Sequence, residues 1–220
     1  MGCYVKKIAE RGAGAGMLRK PKSVALLIRR LVNILEIPVT AKIRLGWDED
    51  NKNYMEIARI LEDNGASLVA VHGRTKSQAY KGKADWDAIA HIKQHLSVPV
   101  VGNGDVCTVA DINRIKSYTK CDAVMIGRAV IGNPWILQRK DKQDVTLTDR
   151  LNLVRKHLKL NLEFYGLDKG LILFRKHVAK YIEDAPENVK HLRIPLLTCE
   201  QASDFEELLF SINKETHTLP

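Results

Sequence analysis

The chain has 220 residues, 45% of them hydrophobic and 28% charged, an ordinary globular composition with room for one large domain or two small ones. No apolar run reaches the roughly 18 residues of a membrane span and no apolar signal core opens the chain, so a cytoplasmic protein with no membrane partner is expected. Four cysteines, Cys3, Cys107, Cys121 and Cys199, form no CxxC pair, which argues against a disulfide framework and against a metal site.

The formal charge of +9 is uneven, because residues 1–30 hold eight Lys or Arg residues against Glu10 alone. A polyanion fits such a stretch, and a solvated helix face accounts for it equally well.

In chain order, Lys6-Lys7 and the glycine-rich Gly12-Ala13-Gly14-Ala15-Gly16 read as a flexible loop. Pro21 then opens a helix with Val24, Leu27, Ile28, Leu31, Val32 and Leu35 at helical spacing. Ile37 to Arg44 is the first strand. Asn53 caps a helix carrying Ile57, Ala58 and Leu61, which Asn64-Gly65 stops. The strand Ser67–Val71 precedes a helix capped by Asp85, with Trp86, Ile89, Ala90 and Ile92 facing inward. Val98–Gly102, a helix capped by Thr108, and Asp122–Ile126 complete four strands that alternate with helices.

Strands that are apolar throughout and separated by helices predict a parallel sheet covered by helices, an α/β fold. A doubly wound sheet would carry a Gly-x-Gly-x-x-Gly turn after an early strand, and none is present. A (β/α)8 barrel places ligand groups at the C-terminal ends of many strands, which matches Lys42, His72, Asn103 and Arg128. Such a barrel takes about 250 residues, so four strands read as its C-terminal half. Beyond Gln138, Arg139 to Thr146 is a polar linker. Stripes at Leu151, Val154, Leu158, Leu162 and at Leu171, Phe174, Val178, Tyr181 then predict a small all-α helical bundle. Ser203-x-x-Glu206 reads as a capping box opening its last helix.

Two strand ends stand out, Gly102-Asn103-Gly104-Asp105 and Ile126-Gly127-Arg128. Bare glycines admit backbone N–H groups to an anion, and Arg128 offers a forked donor for a phosphate. Plain strand-to-helix turns with no ligand fit these residues as well.

Five motifs in order, Met1-Gly2-Cys3, Lys42-Ile43-Arg44-Leu45-Gly46-Trp47, His72-Gly73-Arg74-Thr75, Asn103-Gly104-Asp105 and Met125-Ile126-Gly127-Arg128, resemble those of the tRNA-dihydrouridine synthases. The resemblance implies reduction of uridine to 5,6-dihydrouridine in tRNA by an FMN-binding barrel (residues 1–138), with NADPH or NADH as reductant and a helical tRNA-binding domain at 147–220. Cys3 matches the family's catalytic cysteine, the acid that protonates C5 of uracil, and an unperturbed thiol is mostly protonated at neutral pH. Lys42 and His72 match flavin-side residues, and Asn103, Gly104, Asp105, Gly127 and Arg128 match the ribityl and phosphate grip. Asp105 is expected to accept from a backbone amide or a hydroxyl. Arg44 and Arg74 suit RNA or flavin alike. Lys6, Lys7 and Arg11 beside Cys3, with Arg175, Lys176 and His177 in the helical region, are the expected RNA contacts.

One departure stands out: Tyr4 lies where the family usually has proline. The resemblance also places the start of the chain at the family's fourth barrel strand. Self-association through open barrel edges, weak FMN binding and no turnover are therefore expected of the chain alone. Two other functions stay open, a flavin- or phosphate-binding barrel acting on a small molecule and a non-catalytic RNA-binding remnant.

Overall fold

The structure is a computed structural model and describes residues 1–184 and 187–217. It divides into two units, Met1–Gly127 and Arg128–Pro220. Residues 185, 186 and 218–220 of the expected helical region lie outside the described residues.

The first unit is built on four parallel strands, β1 (Thr40–Arg44), β2 (Leu68–His72), β3 (Val100–Asn103) and β4 (Ala123–Met125), hydrogen-bonded in the order β1-β2-β3-β4. Helices α3 (Tyr54–Asp63), α4 (Trp86–His95) and α5 (Val109–Thr119) make the crossovers. Because crossovers of one hand between consecutive neighbours never reverse direction, the helices stay on one face of the sheet. A doubly wound sheet reverses its order; this one does not, and the arrangement is compatible with part of a (β/α)8 barrel.

Register assigns the two faces. Ile43, Val69, Val71, Val100 and Gly102 share one face, and a Cβ at Gly102 would meet Ile89 of α4 and Ile115 of α5. This is the helix-covered face, where each fully buried Val or Ile contributes about 1.5–3 kcal/mol. On the other face lie Lys42, Arg44, Ala70, His72, Val101 and Asn103. Alternation puts most of the Val and Ile residues of these strands on the helix side and leaves the other face largely polar or small. Among the described residues, β1 and β4 each pair with a single strand.

Local signals place several helix starts. The Asp85 side chain accepts from Ala88 N, and Thr108 with Asp111 forms a reciprocal capping box at α5. Asn53 precedes α3 but makes no side-chain cap, and its Nδ2 donates to the Leu18 carbonyl. α2 (Pro21–Ile34) buries Val24 and Ile28 and leaves Leu27 and Leu35 exposed. β1 starts at Thr40, with Ile37 exposed before it.

The stretch expected to be a flexible loop is helical. α1 (Lys6–Ala9) is followed by a 3-10 segment Gly14–Arg19 that buries Ala15, Gly16 and Leu18. A Cβ on Gly16 would stand 2.0 Å from the Ala9 carbonyl oxygen, so the glycine permits a close backbone packing that composition alone reads as looseness.

In the second unit, α6 (Leu147–Tyr165), α7 (Leu167–Tyr181), α8 (Arg193–Thr198) and α9 (Ala202–His217) surround a core that includes Leu151, Val154, Phe174, Val178, Leu196 and Phe205. Thr146 caps α6 through Asp149 N. The capping box expected at Ser203 is absent: α9 already runs from Ala202, and the Ser203 hydroxyl donates to Asp204. No helix among the described residues is long and apolar enough to cross a membrane.

Candidate active site

The C-terminal ends of β1, β2 and β3 bring together six polar side chains that lie as much as 63 positions apart in sequence, from Lys42 to Asp105. Lys42 Nζ donates to Asn103 Oδ1 at 3.0 Å, and Asn103 Nδ2 donates to the Met125 carbonyl at 2.8 Å, so one amide spans from β1 to β4. Burial, and then repulsion from Arg44, lowers the Lys42 pKa from the ordinary lysine value.

Between them, His72 is buried and its pKa falls to about 3. Desolvation is the largest cause, followed by the charges of Arg44, Lys42 and Arg74, which the Asp105 carboxylate only partly offsets. The imidazole is therefore neutral at physiological pH, with one nitrogen able to donate and one to accept.

Arg74 and Asp105 frame the far side. One guanidinium nitrogen, Nη2, donates to Asp105 Oδ1 at 2.6 Å and to the Gly82 carbonyl at 2.6 Å, while Nε reaches the Lys81 carbonyl. Asp105 also accepts from Ala84 N at 2.6 Å. The pair thus closes the loop between β2 and α4 onto the turn after β3, and the expected backbone amide on Asp105 is that of Ala84. Arg74 Nη1 is buried without a hydrogen-bond partner.

Gly104 sits in that turn with φ +127°, and a Cβ there would lie 2.6 Å from Ala84 Cβ and 3.3 Å from His72 Cδ2. Trp86 Nε1 donates to its carbonyl at 3.1 Å, an orienting contact that the apolar reading of Trp86 did not reveal. Gly127 differs, since nothing lies within 4 Å of where its Cβ would stand.

Cys3 is brought to the same strand ends by its neighbours. Arg44 Nε donates to the Gly2 carbonyl at 2.8 Å, and Ala15 N donates to the Cys3 carbonyl at 2.9 Å. Of the expected RNA contacts, Lys6, Lys7 and Arg11 are exposed in and after α1. Lys176 is exposed on α7, whereas His177 packs beside His157 with ring centroids 5.0 Å apart. The Arg175 guanidinium is turned onto the carbonyls of Thr198 and Cys199, at the end of α8. Arg128 opens the second unit as the first residue of the short 3-10 turn Arg128–Val130.

A thiol, a lysine paired with an asparagine, a neutral histidine and a glycine turn thus lie together at parallel strand ends. The family model for dihydrouridine synthase matches residues 1–216. The chain belongs to the dihydrouridine synthase family. It is 38% identical over 196 residues to tRNA-dihydrouridine synthase B of Pasteurella multocida, an overlap of 86% of this chain and 59% of that protein. The synthase B of Proteus vulgaris is 36% identical over 218 residues (95% of this chain, 67% of the relative). That of Vibrio parahaemolyticus is 36% identical over 221 residues (97% and 64%). This dihydrouridine synthase family member therefore spans about three fifths to two thirds of the length of these relatives.

Proposed function

We propose that the chain is the C-terminal part of the barrel and the helical domain of an FMN-dependent tRNA-dihydrouridine synthase, which reduces uridine in tRNA with NADPH or NADH. The observation that carries this reading is the junction of Lys42, His72 and Asn103 at adjacent strand ends, with Cys3 held at the same rim through Arg44.

The residues present fit a flavin mononucleotide. Lys42 and Asn103 offer donors to the polar edge of a ring, and the cation favours added negative charge there. Gly127 leaves open space for a phosphate to approach the backbone, and Arg128 follows it directly in the chain. When bound, the flavin supplies the hydride. Cys3 holds the proton that the pyrimidine ring receives at the neighbouring carbon, an acid acting in the transition state. His72 stays neutral beside Lys42, so it adds no second positive charge and orients the cofactor by hydrogen bonding.

The tRNA is taken to be held at the exposed Lys6, Lys7 and Arg11 next to Cys3, and Lys176, exposed on α7, is a candidate phosphate contact within the second unit. A uridine is turned out of its stack to reach the thiol. The exposed basic residues beside Cys3 favour this reading over a barrel acting on a small molecule.

A chimera tests the reading: the chain replaces the matching part of the Vibrio parahaemolyticus relative, which it overlaps over 97% of its own length, and dihydrouridine in tRNA is measured by mass spectrometry. Conversion that requires both FMN and a nicotinamide cofactor is expected. A chimera that folds and binds flavin yet leaves every uridine unreduced would refute it.

A further inference from the structure

Cys3 has almost no secondary structure to hold it, since it precedes α1 and belongs to no strand. A proton donor must nevertheless be fixed to well under an ångström relative to its target. What fixes it is visible on either side of the residue.

On the Gly2 side, Arg44 is 3% exposed and spends its guanidinium on three backbone carbonyls. Nε donates to Gly2 at 2.8 Å, and Nη1 donates to Thr75 at 2.8 Å and to Ala79 at 3.0 Å. Ala79 is one of four non-glycine residues with positive φ among those described, at +50°. A left-handed alanine costs about 1 kcal/mol, so a contact that captures its carbonyl stabilises a conformation the residue would otherwise leave.

On the other side, the Tyr4 ring stands edge-on to Tyr80, with centroids 5.2 Å apart and planes at 78°. The Arg44 guanidinium carbon lies 5.2 Å from the Tyr4 ring centre. Tyr80 follows Ala79 directly, so both flanks of Cys3 are tied to the same loop. Gly14 closes the third side: a Cβ there would lie 2.9 Å from Cys3 Cβ.

The geometry points to Arg44, Tyr4 and Tyr80 as positioning residues for Cys3, a clamp that fixes the thiol to the end of β1 and couples it to the loop 75–82. It does by side-chain packing what a rigid residue at position 4 would do by a locked φ. The inference rests on the reading of Cys3 as proton donor, and its test uses no turnover.

The test is the rate of iodoacetamide alkylation at each cysteine of the 220-residue chain, followed by peptide mass spectrometry. Exposed Cys107 serves as the internal reference. Tyr80 is 47% exposed, so its truncation leaves the fold intact. In Tyr80→Ala and Tyr4→Ala, alkylation of Cys3 should rise about two- to tenfold, the range an edge-to-face pair can supply. Cys107 should not change, Tyr4→Phe should keep the parent rate, and the double alanine variant should match Tyr4→Ala. An unchanged Cys3 rate in Tyr80→Ala, a parallel rise at Cys107, a Tyr4→Phe variant as fast as Tyr4→Ala, or fully additive effects would each overturn the clamp. If these rates behave as expected while Cys3→Ala still makes dihydrouridine in the chimera, the proton-donor reading fails and the clamp stands.

Discussion

Lys42 on β1 and Asn103 on β3 meet at 3.0 Å across the intervening β2, so the cation and the amide act as one group at the rim of the sheet. Lys42→Met should therefore weaken FMN binding by about 1.5–3 kcal/mol, the worth of a hydrogen bond to a charged group. Asn103→Ala should weaken it as well, and the double variant by less than the sum, because each change also frees the other partner. Flavin fluorescence titration of the four proteins gives the coupling; strictly additive losses would mean that the two residues serve the cofactor independently.

The two strand-end glycines should behave oppositely. Gly104→Ala combines a left-handed φ with a 2.6 Å clash against Ala84 and should cost about 1–3 kcal/mol in urea unfolding. Gly127→Ala meets nothing and should change stability by less than about 0.5 kcal/mol, yet it should weaken FMN binding if that open space belongs to the phosphate.

How legible each part was follows from how local its cause is. Thr108 caps α5 through a residue three positions on, and Asp85 caps α4 in the same way, so both could be read from spacing. Arg44 and Arg74 could not be assigned, because their partners are carbonyls and a carboxylate that only the fold delivers. The Arg44 carbonyls lie 42, 31 and 35 residues away in sequence. The glycine-rich segment was misread for a related reason: Gly16 looks permissive in sequence, but its contact with Ala9 makes it a packing residue. Lys42, His72 and Asn103 were recognisable as strand ends, while the Lys42–Asn103 bond depended on a register that sequence does not state.

His72 makes the stability depend on pH with a definite sign. Its folded pKa of about 3 lies below the ordinary 6.5, so between those values the unfolded chain binds a proton that the folded one refuses. Its contribution is complete above pH 6.5 and is lost as pH falls through that window, at up to about 1.4 kcal/mol per pH unit. His72→Gln should flatten this slope. An NMR titration in which the His72 ring protonates near 6.5 would contradict it.

Asp105→Asn isolates the charge of the Arg74 pair, because asparagine tolerates the positive φ of 55° that Asp105 adopts. The Arg74 guanidinium, almost wholly inaccessible, would keep its carbonyl partners and lose its counter-charge. A loss of about 1–3 kcal/mol is expected by urea unfolding, with Arg74→Met costing at least as much. A neutral Asp105→Asn would show that the carboxylate is held there for a ligand and not for the loop.

Dihydrouridine formed in tRNA by the chimera and by its Cys3→Ala form, measured with flavin content on the same samples, is the most direct test of the active-site assignment. A general acid is worth about 10²- to 10⁴-fold, so Cys3→Ala should lower turnover by at least about a hundredfold while flavin content stays at the parent level. Turnover of Cys3→Ala at the parent rate, with flavin bound, would contradict the assignment of Cys3 as the proton donor.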